Sequence, residues 1–181
     1  ATAAPGILKE FPEVDMVVNG EGEIPLYQII DHLKKTPPDL NLSKVKGVYT
    51  RLGDGRLPDQ ASFSQLKTLN KLSAPDYDEY FELLKTFDTR KSFFPTLPVE
   101  TSRGCWWKRA VGSAKATGCA FCNLNLQWDG YRSKPASQVT TEIDHLTGRY
   151  QTLSVAIMDN VMPKKEAIVM FKQIAALDKD L

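Results

Sequence analysis

Apolar positions along the chain fall into short β-branched runs and helical stripes, in alternating order. Ile7 and Leu8 precede Phe11 and Pro12, where a short helix must stop. Residues 14–18 form a β-branched run between turn residues and predict a buried strand. It gives way to Asn19, Gly20, Glu21, Gly22 and Glu23, after which Ile24, Tyr27, Ile30 and Leu33 repeat at helical spacing. Strand, Gly-rich turn and helix make an α/β unit of the doubly wound kind, in which ligands sit beyond the strand's carboxyl end. Thr36, Pro37, Pro38 and Asp39 break the helix, residues 45–51 read as a strand, and Gly53, Asp54 and Gly55 turn the chain into a small hairpin.

Further on, residues 73–77 open a helix, with Asp76, Asp78 and Glu79 at the positive end of its dipole. Tyr80, Leu83, Leu84 and Phe87 form its apolar stripe, which predicts a core face. Residues 96–101 form a strand. Ser133, Lys134 and Pro135 start a helix whose buried face is Val139, Ile143 and Leu146, with Gly148 as its C-cap. The apolar run at 153–158 predicts a strand covered on both faces, and Met162 and Pro163 lead into a last helix through Ala167, Phe171, Ile174 and Leu177. The order βα-βα opens a (β/α) barrel or an open parallel sheet, and two such units leave a bare apolar sheet edge.

Composition removes several classes. Among 181 residues, 42% are hydrophobic and 25% charged, an ordinary globular mixture. No apolar run approaches the roughly 20 residues that cross a bilayer, and no secretory signal pattern opens the chain. These features predict no membrane association. A formal net charge of +1 gives no bulk drive toward nucleic acid.

The three cysteines change the picture. All lie in one stretch, as Cys105, Cys119 and Cys122. An odd, clustered set argues against a disulfide framework and for a reduced, cytoplasmic chain with ligand or nucleophile cysteines. A structural zinc site needs four ligands, and His32 and His145 are both distant in sequence. A thioredoxin-like CxxC needs no third cysteine. An iron–sulfur cluster on three cysteines keeps one iron open. Arg103, Lys108, Arg109 and Lys115, with no acidic residue between Thr101 and Gly118, favour thiolates or an anionic cluster. Trp106, Trp107, Phe121 and Trp128 interleave with the cysteines, as a shield or as core.

The phrases VETSRGCWW, GCAFCNLN and YRSKP resemble the cluster loop of radical S-adenosylmethionine enzymes, in the subgroup with a long gap after the first cysteine. These enzymes carry an N-terminal cobalamin-binding domain and act in maturation of ribosomally made peptides. VDMVVNGEGEIPL resembles the last strand and turn of that domain, and APDYDEYF the connector. The resemblance implies an α/β protein: residues 1–35 as the C-terminal tail of a Rossmann-like cobalamin-binding domain, 36–93 as connector, and 94–181 as the first two βα units of a radical-enzyme barrel. The chain is then a fragment of a longer protein. The resemblance further implies that Cys105, Cys119 and Cys122 ligate a 4Fe–4S cluster. The open iron holds S-adenosylmethionine, whose reductive cleavage gives a 5′-deoxyadenosyl radical. Phe121 would pack near the adenine, and Asp159 and Asn160 contact the amino group. Methyl transfer to an unactivated carbon of a peptide or small molecule, with cobalamin and an external electron donor, is the implied reaction. A non-catalytic zinc or iron–sulfur module is the alternative.

Overall fold

The computed structural model describes residues 3–39, 41–42, 44–51, 63–88, 94–107, 119, 121–122, 124, 130–162 and 164–180. The protein is a mixed α/β structure with small two-stranded sheets. It divides into two compact units, Ala1–Lys67 and Thr68–Leu181.

In the first unit, β1 (Met16–Val18) pairs antiparallel with β2 (Val48–Thr50), Val17 opposite Tyr49. Side chains alternate across this ribbon, so each face collects its own core. Val17 and Tyr49 pack against Ala4 and Leu8 of α1 (Ala4–Glu10). Met16, Val18 and Val48 pack with Ile29 of α2 (Glu23–Leu33), together with Leu42 and Val45. Proline sits in the first turn of α1, and the Arg51 guanidinium donates to the carbonyls of Leu8 and Phe11 where that helix ends.

Burial corrects the stripe expected on α2. Pro25 and Ile29 face inward, while Ile24, Tyr27, Ile30 and Leu33 are exposed. Ile29 is the α2 residue that packs with the ribbon, one turn after the buried Pro25, and the i, i+3 series drifts off that line. The Gly-rich turn is also filled from within the unit. Ser64 donates its N–H to the Asn19 carbonyl, and Glu21 donates its own to Ser64 O. The Glu21 carboxylate accepts the Leu66 N–H at 2.5 Å. Gly20, at φ +102°, lies so close to Ser64 that a Cβ would collide with its backbone. The turn expected at Gly53, Asp54 and Gly55 lies outside the described residues.

In the second unit, β3 (Leu97–Val99) pairs parallel with β6 (Val155–Ile157). The crossover carries a two-residue antiparallel ribbon, β4 (Ser102–Arg103) with β5 (Arg132–Ser133), and then α4 (Ala136–Tyr150). α5 (Lys164–Ala175) follows β6 and packs on α4. Leu97, Val99, Val139, Ile143, Leu146 and Met170 form the core. The α4 face is the one its periodicity predicts.

Three expectations are corrected here. Gly148 lies inside α4; the left-handed C-cap residue is Gln151, at φ +52°. The extra residues are held by tertiary contacts: Tyr150 stacks on Phe81, with ring centroids 4.6 Å apart, and Arg149 pairs with Asp76 and Asp78. On α3 (Asp78–Leu84), Tyr80 and Leu83 are exposed, as is Phe87 beyond its end, and Phe81 is the residue that meets the core. The register is set by Tyr77, whose N–H donates to Tyr150 Oη at 2.7 Å. Finally, all three residues of β6 are half-buried, and Leu153, Met158 and Phe171 are exposed. The apolar run thus lies in a sheet with incomplete cover.

Candidate functional site: the cysteine loop and its neck

The β4–β5 ribbon is the neck of a loop, residues 104–131, that contains all three cysteines. Ser102 lies opposite Ser133 and Arg103 opposite Arg132. Just beyond, Gly104 takes φ +82° and runs directly against the Gly130 carbonyl, which leaves no room for a Cβ. The chain enters and leaves the loop through a backbone crossing that only glycine permits.

Below the crossing, polar bonds fix the neck. The Asp159 carboxylate, just after β6, accepts four hydrogen bonds. Oδ1 takes the N–H groups of Thr101 at 2.8 Å and Ser102 at 3.0 Å. Oδ2 takes the Ser102 hydroxyl at 2.7 Å and the Thr101 hydroxyl. Those four donors fill the usual acceptor capacity of a carboxylate. An incoming ammonium group would have to displace one of them. Asn160 beside it is exposed.

Lys134 ties the other strand. Its N–H donates to the Thr101 carbonyl at 2.8 Å, and its ammonium donates to both oxygens of Glu142 on α4, at 3.1 and 2.8 Å. Both side chains are almost fully buried, 3% and 4% exposed. Tyr131, at the loop's exit, donates its hydroxyl to Glu166 of α5 at 3.1 Å. Burial holds the Tyr131 phenol above its ordinary value; a Ser102 hydrogen bond opposes this, and Glu166 and Asp159 add to it. Beside the neck lies a cleft of about 370 Å³. Thr101, Tyr131 and Lys134 form one wall and Lys165, Glu166 and Met170 of α5 another.

None of the three cysteines is in a disulfide. Cys105 and Cys122 are half-buried and Cys119 is exposed. The Trp107 N–H points to Cys105 Sγ at 3.4 Å, and Cys122 donates its N–H to the Cys119 carbonyl at 3.2 Å. In donor chemistry the set fits a soft metal or an iron–sulfur centre. In placement, no three His, Cys, Asp or Glu side chains among the described residues are gathered closely enough to hold a metal ion. Phe121 is 88% exposed, and Trp106 and Trp107, edge-to-face at 5.3 Å, are half-exposed, so none of these aromatics is core. Lys108, Arg109, Lys115 and Trp128 lie outside the described residues. Arg103 is bonded to Glu100, whose carboxylate lies just before the all-basic interval seen in the sequence.

Sequence reasoning missed Thr101, Ser102, Tyr131, Lys134, Glu142 and Glu166. Glu142 carried a usable signal. It sits within the apolar stripe of Val139, Ile143 and Leu146, and a charge buried there needs a partner.

No family model matches the chain. A protein of Pyrococcus horikoshii, described as an uncharacterized methyltransferase, is 26% identical over 164 residues. That alignment covers 89% of this chain and 32% of the relative, so the chain spans about a third of the relative's length. Among the described residues, no helix is long and apolar enough to cross a membrane.

Proposed function

We propose that the chain is part of a radical S-adenosylmethionine methyltransferase, with Cys105, Cys119 and Cys122 as the ligands of a 4Fe–4S cluster. The observation that carries this reading is the loop itself. Three cysteines, none in a disulfide, share one excursion whose ends are clamped together at the carboxyl end of β3. Active sites of parallel βα proteins are built at that end of the strands. The parallel β3–α4–β6 unit supports a barrel start over residues 94–181; in this reading residues 1–35 end a cobalamin-binding-like α/β domain and 36–93 are the connector. The methyltransferase description of the relative supports methyl transfer.

The chemistry such groups supply when bound is one-electron cleavage of S-adenosylmethionine and, with cobalamin, methyl delivery to an unactivated carbon. This chain's part is to hold the thiolates, orient the loop and keep the neck closed. In this reading Phe121 would pack near the adenine, and Asp159, with Asn160 beside it, would take the amino group only by giving up one of its bonds to Thr101 or Ser102. The substrate is a peptide or small molecule, and an external donor supplies electrons.

Anaerobic incubation of the chain with ferrous iron and sulfide tests the reading. The expected product holds about four iron atoms per chain, and Cys119→Ala holds none. Tight binding of a single zinc with no cluster, or a Cys119→Ala protein with full iron, would refute it.

A further inference from the structure

A two-residue ribbon is a weak determinant of its own register, because a one-residue slip loses few bonds and turns every side chain to the other face. The neck of the cysteine loop is such a ribbon, yet it carries the loop's geometry. The buried Lys134–Glu142 pair supplies what the ladder lacks. Lys134 follows β5 directly, its amide is bonded to Thr101, and its ammonium reaches two turns into α4. α4 is itself fixed by Val139, Ile143 and Leu146 in the core. A slip at the neck would pull the ammonium off Glu142 and leave two charges buried and unpaired. Buried ion pairs add little net stability against apolar replacements, and fixing register is their best-attested use.

We propose that Lys134 and Glu142 are positioning residues for the cysteine loop: their ion pair locks the β4–β5 register and so sets where Cys105 leaves the sheet relative to the returning chain at Tyr131. The inference rests on the cysteine-ligand reading above. It assigns the pair the role that outer-shell partners play at metal centres, where they orient ligands they do not replace.

The test compares wild type, Lys134→Met/Glu142→Leu and Glu142→Gln after anaerobic loading with ferrous iron and sulfide. Three readouts are taken: the urea midpoint of the unloaded chain, iron retained against a chelator, and the electron paramagnetic resonance spectrum after reduction. The double variant is expected to unfold at the wild-type urea concentration. It should lose iron to chelator at a concentration on the order of tenfold lower and show a shifted or broadened spectrum. Wild-type iron retention and an unchanged spectrum in the double variant overturn the inference and leave the ligand reading standing. A wild-type chain that takes up no iron overturns the ligand reading and this inference with it. If the double variant does not fold, the isosteric Glu142→Gln decides by the same two cluster readouts.

Discussion

Replacing Asp159 by alanine removes the acceptor of four hydrogen bonds from Thr101 and Ser102. Those two residues are 5% and 2% exposed, so water cannot freely take the carboxylate's place at their N–H groups. A hydrogen bond to a charged group contributes about 1.5–3 kcal/mol, and a buried donor left unsatisfied costs about 1–3 kcal/mol. The four bonds share one acceptor and do not add, and the hydroxyls can turn elsewhere. The expected loss is therefore about 3–4 kcal/mol, in the range of a broken buried network. Asparagine behaves differently. Its oxygen can keep both N–H bonds, and its amide can donate to the two hydroxyl oxygens, so Asp159→Asn should cost about 1 kcal/mol. At a urea slope of about 2 kcal/mol/M, the alanine variant should unfold some 1.5–2 M earlier than wild type and the asparagine variant about 0.5 M earlier. Hydrogen exchange at the Thr101 and Ser102 amides should accelerate strongly in the first and little in the second. An alanine variant with the wild-type midpoint and protected amides would refute the clamp.

Two other outcomes follow from the geometry. Gly104→Ala places a Cβ against the Gly130 carbonyl at a positive φ, and should destabilise the second unit by about 2 kcal/mol or more, read as a lower urea midpoint. The Asp78 carboxyl is held below its ordinary value of 3.8, first by its hydrogen bond to Arg149 and then by Tyr150. Its folded pKa is depressed, so its contribution is present above the unfolded value and is lost as pH falls through the folded one. Thermal melts of wild type and Asp78→Asn should therefore differ at pH 6, and the difference should shrink as pH falls below 3.8; a constant difference would contradict this.

The strands and helices were legible where one periodicity governed burial. Val139, Ile143 and Leu146 repeat on one side of α4 and are buried there, and β1, β3 and β6 fall inside their apolar runs. The α2 and α3 stripes misled because each helix meets its neighbours through one or two residues, Ile29 and Phe81, chosen by tertiary contacts that no local pattern records. The cysteine loop was visible as a cluster of thiols. Its neck was not, since it depends on pairs far apart in sequence: Thr101 with Asp159, 58 positions on, and Tyr131 with Glu166, 35 on. Lys134 and Glu142 are only eight apart, but Lys134 precedes the helix, so helical periodicity does not say that its side chain folds back along α4 to Glu142.

The neck also bears on the order of folding. The cysteine loop is nested inside the longer crossover from β3 to β6, and about half of that crossover is the loop itself. Once β4 meets β5, the chain that must be looped to bring β6 beside β3 is effectively halved, and the entropy of that closure falls by about 0.6 kcal/mol. If the ribbon and α4 assemble first, the search for the parallel pair, which on its own would be the slow, non-local step, is shortened. On that order the root of the thiol loop would form before the sheet beneath it is complete.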